Sequence, residues 1–213
     1  MRTDELIRAL ATGLGPLEPR AVPQRYATAL AVGSLGALAI VVAYLGVNND
    51  LVALSAKPMF WVRLVFAASV AATAFVALAR LARPGVPLGH ASAAMAVPML
   101  AMWALAAVVL ALAEPMMRSM LVLGSTWKTC PLNITLASLP VLIAVLWAIR
   151  GLAPTRPIMT GATAGRLAGG IGAVFYTLHC PELEAPFLGV WYVLGMAIPS
   201  VIGALVAPRL LRW

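Results

Sequence analysis

Apolar residues along the chain gather into six long runs, at residues 26–46, 60–79, 91–112, 134–148, 161–178 and 187–206. Short segments between them hold nearly all of the charge and the turn-forming residues. None of the runs alternates with period two, which excludes the pattern of a lipid-facing β-barrel strand. Each approaches the roughly 20 residues that a helix needs to cross a hydrocarbon core. The fourth is the shortest, and the fifth carries Arg166 near its start. The fold class predicted is an all-α membrane protein: a bundle of six transmembrane helices, N-in/C-in, preceded by a short cytoplasmic amphipathic helix.

Composition agrees with this pattern. Of 213 residues, 62% are hydrophobic and 10% charged, whereas a soluble domain carries about 25% charged residues. A water-soluble globular enzyme is excluded. The formal net charge is +8, and its placement sets the orientation. Every arginine except Arg63 and Arg118 falls on the side of the N-terminus, and that side carries the whole excess. Across the membrane, Lys57, Arg63, Arg118 and Lys128 are balanced by Asp50, Glu114, Glu182 and Glu184. The positive-inside rule then puts both termini on the cytoplasmic side of the membrane. No cleavable signal peptide is expected, because the first apolar run has full spanning length.

The chain divides into a cytoplasmic tail, 1–25, and a transmembrane sensor domain, 26–213. In the tail, Thr3 followed by Asp4 and Glu5 reads as a helix N-cap with acids in the first turn. Leu6, Ile7, Leu10 and Leu14 follow at helical spacing, and Gly13, Gly15 and Pro16 end the helix. Such a stripe either lies on the inner leaflet or docks in a partner's apolar groove. The acids at its start weigh against adhesion to anionic lipid.

Two cysteines, Cys130 and Cys180, fall on the outer side, each followed by proline. Pro131 opens the fourth span, so Cys130 sits at a helix N-terminus; Pro181 follows the fifth, so Cys180 sits at a C-terminus. The two spans are joined by a short turn and are expected to be antiparallel neighbours with both sulfurs at one depth. The helix dipole makes Cys130, helped by Lys128, the better thiolate, with Cys180 resolving and His179 a modulator. A structural disulfide, a reactive thiol switch and a metal site drawn from Cys130, His179, Cys180 and Glu182 all remain open. No CxxC or HxxxH pair anchors the last, so no metal or cofactor is assigned. Gly161, Gly165 and Gly169 recur every fourth residue, which allows close helix packing, expected here against span four. Arg63 and Arg166, near the ends of their spans, are expected to snorkel.

The segments MRTDELIRALA, CPLNITLASLPVLIAVLWAIRGLAPTRP and HCPELEAPFLGVWYVLGMAIPSVIGALVAPRLLRW resemble the NrsF family of membrane-bound anti-sigma factors over the whole chain. The resemblance implies a regulator, not an enzyme, that holds an extracytoplasmic-function (ECF) sigma factor inactive at the inner membrane without touching nucleic acid itself. It implies that the N-terminal segment around Leu6, Ile7, Leu10 and Leu14 engages the sigma factor. It also implies that Cys130 and Cys180 sense oxidants or thiol-reactive metals. Membrane lipid is the other expected partner. The rival readings are a membrane thiol oxidoreductase, which lacks the further thiol pair it needs, and a small-molecule or metal transporter with a structural disulfide, which lacks intramembrane acids and repeats.

Overall fold

Long stretches of alanine, leucine and valine bury apolar surface but leave backbone N–H and C=O groups that only helical bonding satisfies away from water. The computed structural model of the chain describes residues 3–5, 21–83, 85–152 and 154–211. Among these residues every regular element is helical. In chain order they are α1 (Val22–Leu45), α2 (Leu51–Ser55), α3 (Pro58–Leu81), α4 (Ala91–Leu112), α5 (Pro115–Leu123), α6 (Cys130–Ile149), α7 (Pro157–Tyr176) and α8 (Ala185–Leu210). Thr3–Glu5 are helical too; the stripe Leu6, Ile7, Leu10 and Leu14 lies outside the described residues. A proline in the first turn starts α3, α5, α6, α7 and α8, where its missing N–H costs no hydrogen bond. Two π-helical turns, Ile40–Leu45 in α1 and Leu188–Tyr192 in α8, carry no sequence signature.

Five helices, α1, α3, α4, α6 and α8, are long and apolar enough to cross a membrane. The fifth apolar run forms α7, which is 20 residues long but diluted by Arg166, Thr160, Thr163 and five glycines. It is also the most enclosed helix, packed between α8, α3 and α6.

Glycines make that enclosure possible. A Cβ at Gly161 would strike the backbone of Gly203, one at Gly165 the carbonyl of Pro199, and one at Gly169 the Met196 backbone. The expected Gly161, Gly165 and Gly169 stripe is therefore a seam, but against α8 and not against the fourth span. Span four (α6) is met by Gly172, beside Ser138, and α3 by Gly170, beside Ala71. Small residues thus face three neighbours at once, and backbones approach as closely as in small-xxx-small pairs. Gly165→Val is expected to cost about 1–3 kcal/mol or more through overpacking against immovable backbone. A fall in Tm of the detergent-purified protein checks this; an unchanged Tm would remove the seam from the account of stability.

The interior separates into two hydrophobic clusters. One holds Tyr26, Leu78, Val141, Val145, Ile149, Leu167 and Ala207 at the end where Arg25, Arg80, Arg83, Arg150, Arg156 and Arg209 collect. The other holds Phe66, Val70, Met102, Ile134, Tyr176, Phe187, Tyr192 and both cysteines.

Candidate functional site

Cys130 is the first residue of α6, and its N–H donates to Thr126 O at 2.9 Å, continuing the turn before the helix. Cys180 follows the last turn of α7, and its N–H donates to Tyr176 O at 3.1 Å. Both thiols are free and fully buried. The structure brings them together: the two thiols are close enough to act on one another. Around them stand Tyr176 and Tyr192, with ring centroids 5.9 Å apart. Asn133, one turn along α6 from Cys130, stands beside the Tyr176 hydroxyl. The buried Tyr192 hydroxyl beside Cys180 has no well-formed hydrogen bond of its own.

The organising residue is Arg63 of α3. It does not snorkel; it is 0% exposed. Its Nη1 donates to Cys180 O at 2.9 Å and Glu182 O at 2.7 Å, and its Nη2 to Thr177 O at 3.0 Å. The guanidinium also lies 5.2 Å from the Phe60 ring centre. The last carbonyls of a helix lack intrahelical partners and form the negative end of its dipole, so a planar cation with several donors satisfies both needs. Arg63 fastens the end of α7 and the thiol-bearing segment after it to α3. Arg166, midway along α7, likewise reaches a neighbouring helix, donating through Nη2 to Met95 O on α4 at 2.6 Å.

Electrostatics at the pair favour the opposite order of the sulfurs from the one the helix dipole suggests. The adjoining Cys130 thiol first, then the nearby Arg63 charge, the Glu182 N–H and Tyr192, outweigh burial and lower the Cys180 thiol to about 6. The neighbouring thiol and a full charge beside Cys180 together weigh more than the half-charge at the α6 N-terminus.

Other expected participants are placed elsewhere. His179 Nδ1 faces Gly46 O at 2.9 Å, tying the segment to α1, and its ring is 5.5 Å from that of Tyr176. Lys128 is exposed, with Nζ 5.3 Å from the centre of the Trp127 ring instead of at Cys130. Glu182 Oε1 accepts from Ser125 N at 2.7 Å and Ser125 Oγ at 2.6 Å. Gly124, at φ +55°, allows this approach, since a Cβ there would meet that carboxylate and Phe187. Among the described residues no group of three or more His, Cys, Asp and Glu could hold a metal ion.

Sequence reading gave Arg63 the wrong role and missed Asn48, whose N–H and Nδ2 bind Leu178 O at 2.9 Å and His179 O at 3.4 Å. Arg63 did carry a signal, being a lone cation inside an apolar run facing the level of a helix C-terminus.

The structure is thus a helical bundle with five helices of membrane-crossing character and two neighbouring free thiols. Residues 10–213 match the family model NrsF, "Negative regulator of sigma F", and the chain belongs to that family. It is 49% identical over 213 residues, the whole of both chains, to the "Probable anti-sigma-F factor NrsF" of Azospira oryzae. It is 37% identical over 215 aligned residues, again the whole of both chains, to the "Anti-sigma-F factor NrsF" of Caulobacter vibrioides. Both relatives are named as regulators, and the family is not one of enzymes. No solved structure matches the chain.

Proposed function

We propose that the chain is a membrane-embedded anti-sigma factor for a sigma factor of the ECF type. It holds its partner at the cytoplasmic membrane through residues 1–25 and lets it go when Cys130 and Cys180 are oxidised or bound by a thiol-reactive metal. In this reading all six runs span, with the arginine-rich end in the cytoplasm and the thiols at the periplasmic rim. The course of the chain supports the sixth span: α6 and α8 both start at the thiol end, so α7 must return the chain between them. The positive-inside rule supports the orientation.

The observation that carries the reading is the reduced thiol pair in contact across the start of α6 and the end of α7. Oxidation by a small disulfide balances simply. The Cys180 thiolate attacks one of its sulfurs and expels the first small thiol; Cys130, losing its proton, then displaces the second. The products are one intrachain disulfide and two small thiols. A neutral disulfide removes the anionic charge that a Cys180 thiolate presents to Arg63, so the clamp on the α7 end must readjust. Because α7 packs backbone to backbone on α8, the adjustment moves the helix as a body toward the arginine-rich end. A coupling of about 1–3 kcal/mol changes partner affinity roughly 5–150-fold.

The test is co-purification. Under reducing conditions the full chain retains its sigma factor and a chain lacking residues 1–15 does not. Equal retention by both overturns the tail as the binding element.

A further inference from the structure

At the end opposite the thiols, α1 and α3 pack on the rest of the bundle without packing along one another. Between them lies a groove of about 670 Å³ walled by Val22, Tyr26, Leu30, Phe75 and Arg83. A second recess of about 560 Å³ continues from Phe75 and Arg83 to Arg80 and Pro87. The groove is apolar along its length and cationic at its mouth, and among the described residues no carboxylate lines either recess.

One polar group inside lacks a partner among the described residues. Tyr26 is 7% exposed, and its hydroxyl is buried without a hydrogen bond from any of them. Phe75 packs edge-on at 6.0 Å and fixes the ring. Arg83 is near enough to act on Tyr26 electrostatically. A buried hydroxyl with no acceptor or donor opposite it is uncommon and unfavourable. A bare acyl chain would leave Tyr26 and Arg83 unmet, and a free phosphate would leave the Leu30–Phe75 wall bare. An amphiphile with a phosphate head meets all of these groups.

We propose that this groove binds an anionic phospholipid. Its phosphodiester sits at Arg83, with Arg80 adjoining, and accepts a hydrogen bond from the Tyr26 hydroxyl. One acyl chain lies along Leu30 and Phe75. The basic mouth follows the usual chemistry of headgroup pockets between spanning helices. The inference rests on the membrane-spanning reading above and adds a defined ligand to it.

The full chain, released from neutral detergent into native mass spectrometry, is titrated with dioleoyl phosphatidylglycerol, dioleoyl phosphatidylcholine or inorganic phosphate. Both lipids carry the phosphodiester, but the choline cation of phosphatidylcholine is repelled by Arg83 and Arg80, so phosphatidylglycerol is expected to remain bound at about tenfold lower concentration. Tyr26→Phe keeps the ring, and Arg83→Gln sits at the mouth, so both should fold; the first weakens both lipids and the second loses the preference. Equal retention of the two lipids by the wild type, an undiminished preference in Arg83→Gln, or undiminished binding in Tyr26→Phe overturns the site. Displacement of phosphatidylglycerol by inorganic phosphate overturns a lipid as occupant. So does a photocrosslinker at Phe75 that captures residues 6–20 of the chain itself in place of added lipid. Sigma-factor retention is scored on the same preparations. A wild-type chain without lipid selectivity but with retention intact overturns this inference alone, whereas failure to fractionate with membranes overturns the spanning reading and the lipid site together.

Discussion

Serine at Cys130 or at Cys180 leaves the sigma factor held when oxidant is added. A sigma-dependent reporter in either variant stays at its resting level, losing the whole roughly 5–150-fold response that a coupling of about 1–3 kcal/mol supplies. The two variants differ in their chemistry. In Cys130→Ser the serine hydroxyl still stands beside Cys180 and Arg63 still faces it, so Cys180 keeps its thiolate character. In Cys180→Ser the remaining thiol has no cation holding it anionic. Oxidation of the wild type therefore accelerates as pH rises through about 6, where Cys180 deprotonates, and levels off above it. The stability sign follows from the same shift. Between about 6 and the ordinary thiol value of 9.0 the folded chain binds fewer protons than the unfolded one, so the reduced protein gains stability as pH rises through that window. Cys180→Ser flattens the dependence. Normal induction in both serine variants would falsify the thiol switch.

Arg63→Leu is the second large effect. It removes every donor from Thr177 O, Cys180 O and Glu182 O that the guanidinium supplies. A buried carbonyl left without a partner costs about 1–3 kcal/mol. Relief from burying the charge offsets part of this, and water reaching the membrane rim offsets more. The net expectation is a loss of a few kcal/mol, read as a lower Tm, together with release of the sigma factor without oxidant. Arg63→Lys keeps the charge but not the fork, so it should restore the thiolate and only part of the clamp. Both sulfurs are fully covered, so reagents reach them only as the 177–182 segment opens. A loosened clamp therefore also speeds thiol modification. An Arg63→Leu protein with wild-type Tm and wild-type induction removes Arg63 from the mechanism.

The helices were legible because apolar runs and first-turn prolines are local signals. The juxtaposed cysteines were legible as well, since a short connection between 148 and 161 forces neighbouring helices to bring their far ends together. What failed was partner choice. A glycine stripe announces close packing but not against which helix, and Gly161, Gly165 and Gly169 meet α8 because Gly203 and Pro199 offer bare backbone there. Arg63 was misread for a related reason. Snorkelling and capping begin from the same sequence position, and only the arrival of the α7 C-terminus, over a hundred residues away in sequence, decides between them. Sulfur acidity depended on that same long-range contact. Five spans emerge from length and apolarity because α7 gives up side-chain hydrophobicity for glycine, which a central helix requires.

The two hydrophobic clusters share no residue, and α3, α6, α7 and α8 run through both. Substitutions in the two cores that share no partner are therefore expected to add in their effects on stability. On the proposed reading, a lineage can retune which reagents its thiol end answers to while the other end keeps its partner, provided the four shared backbones keep their packing.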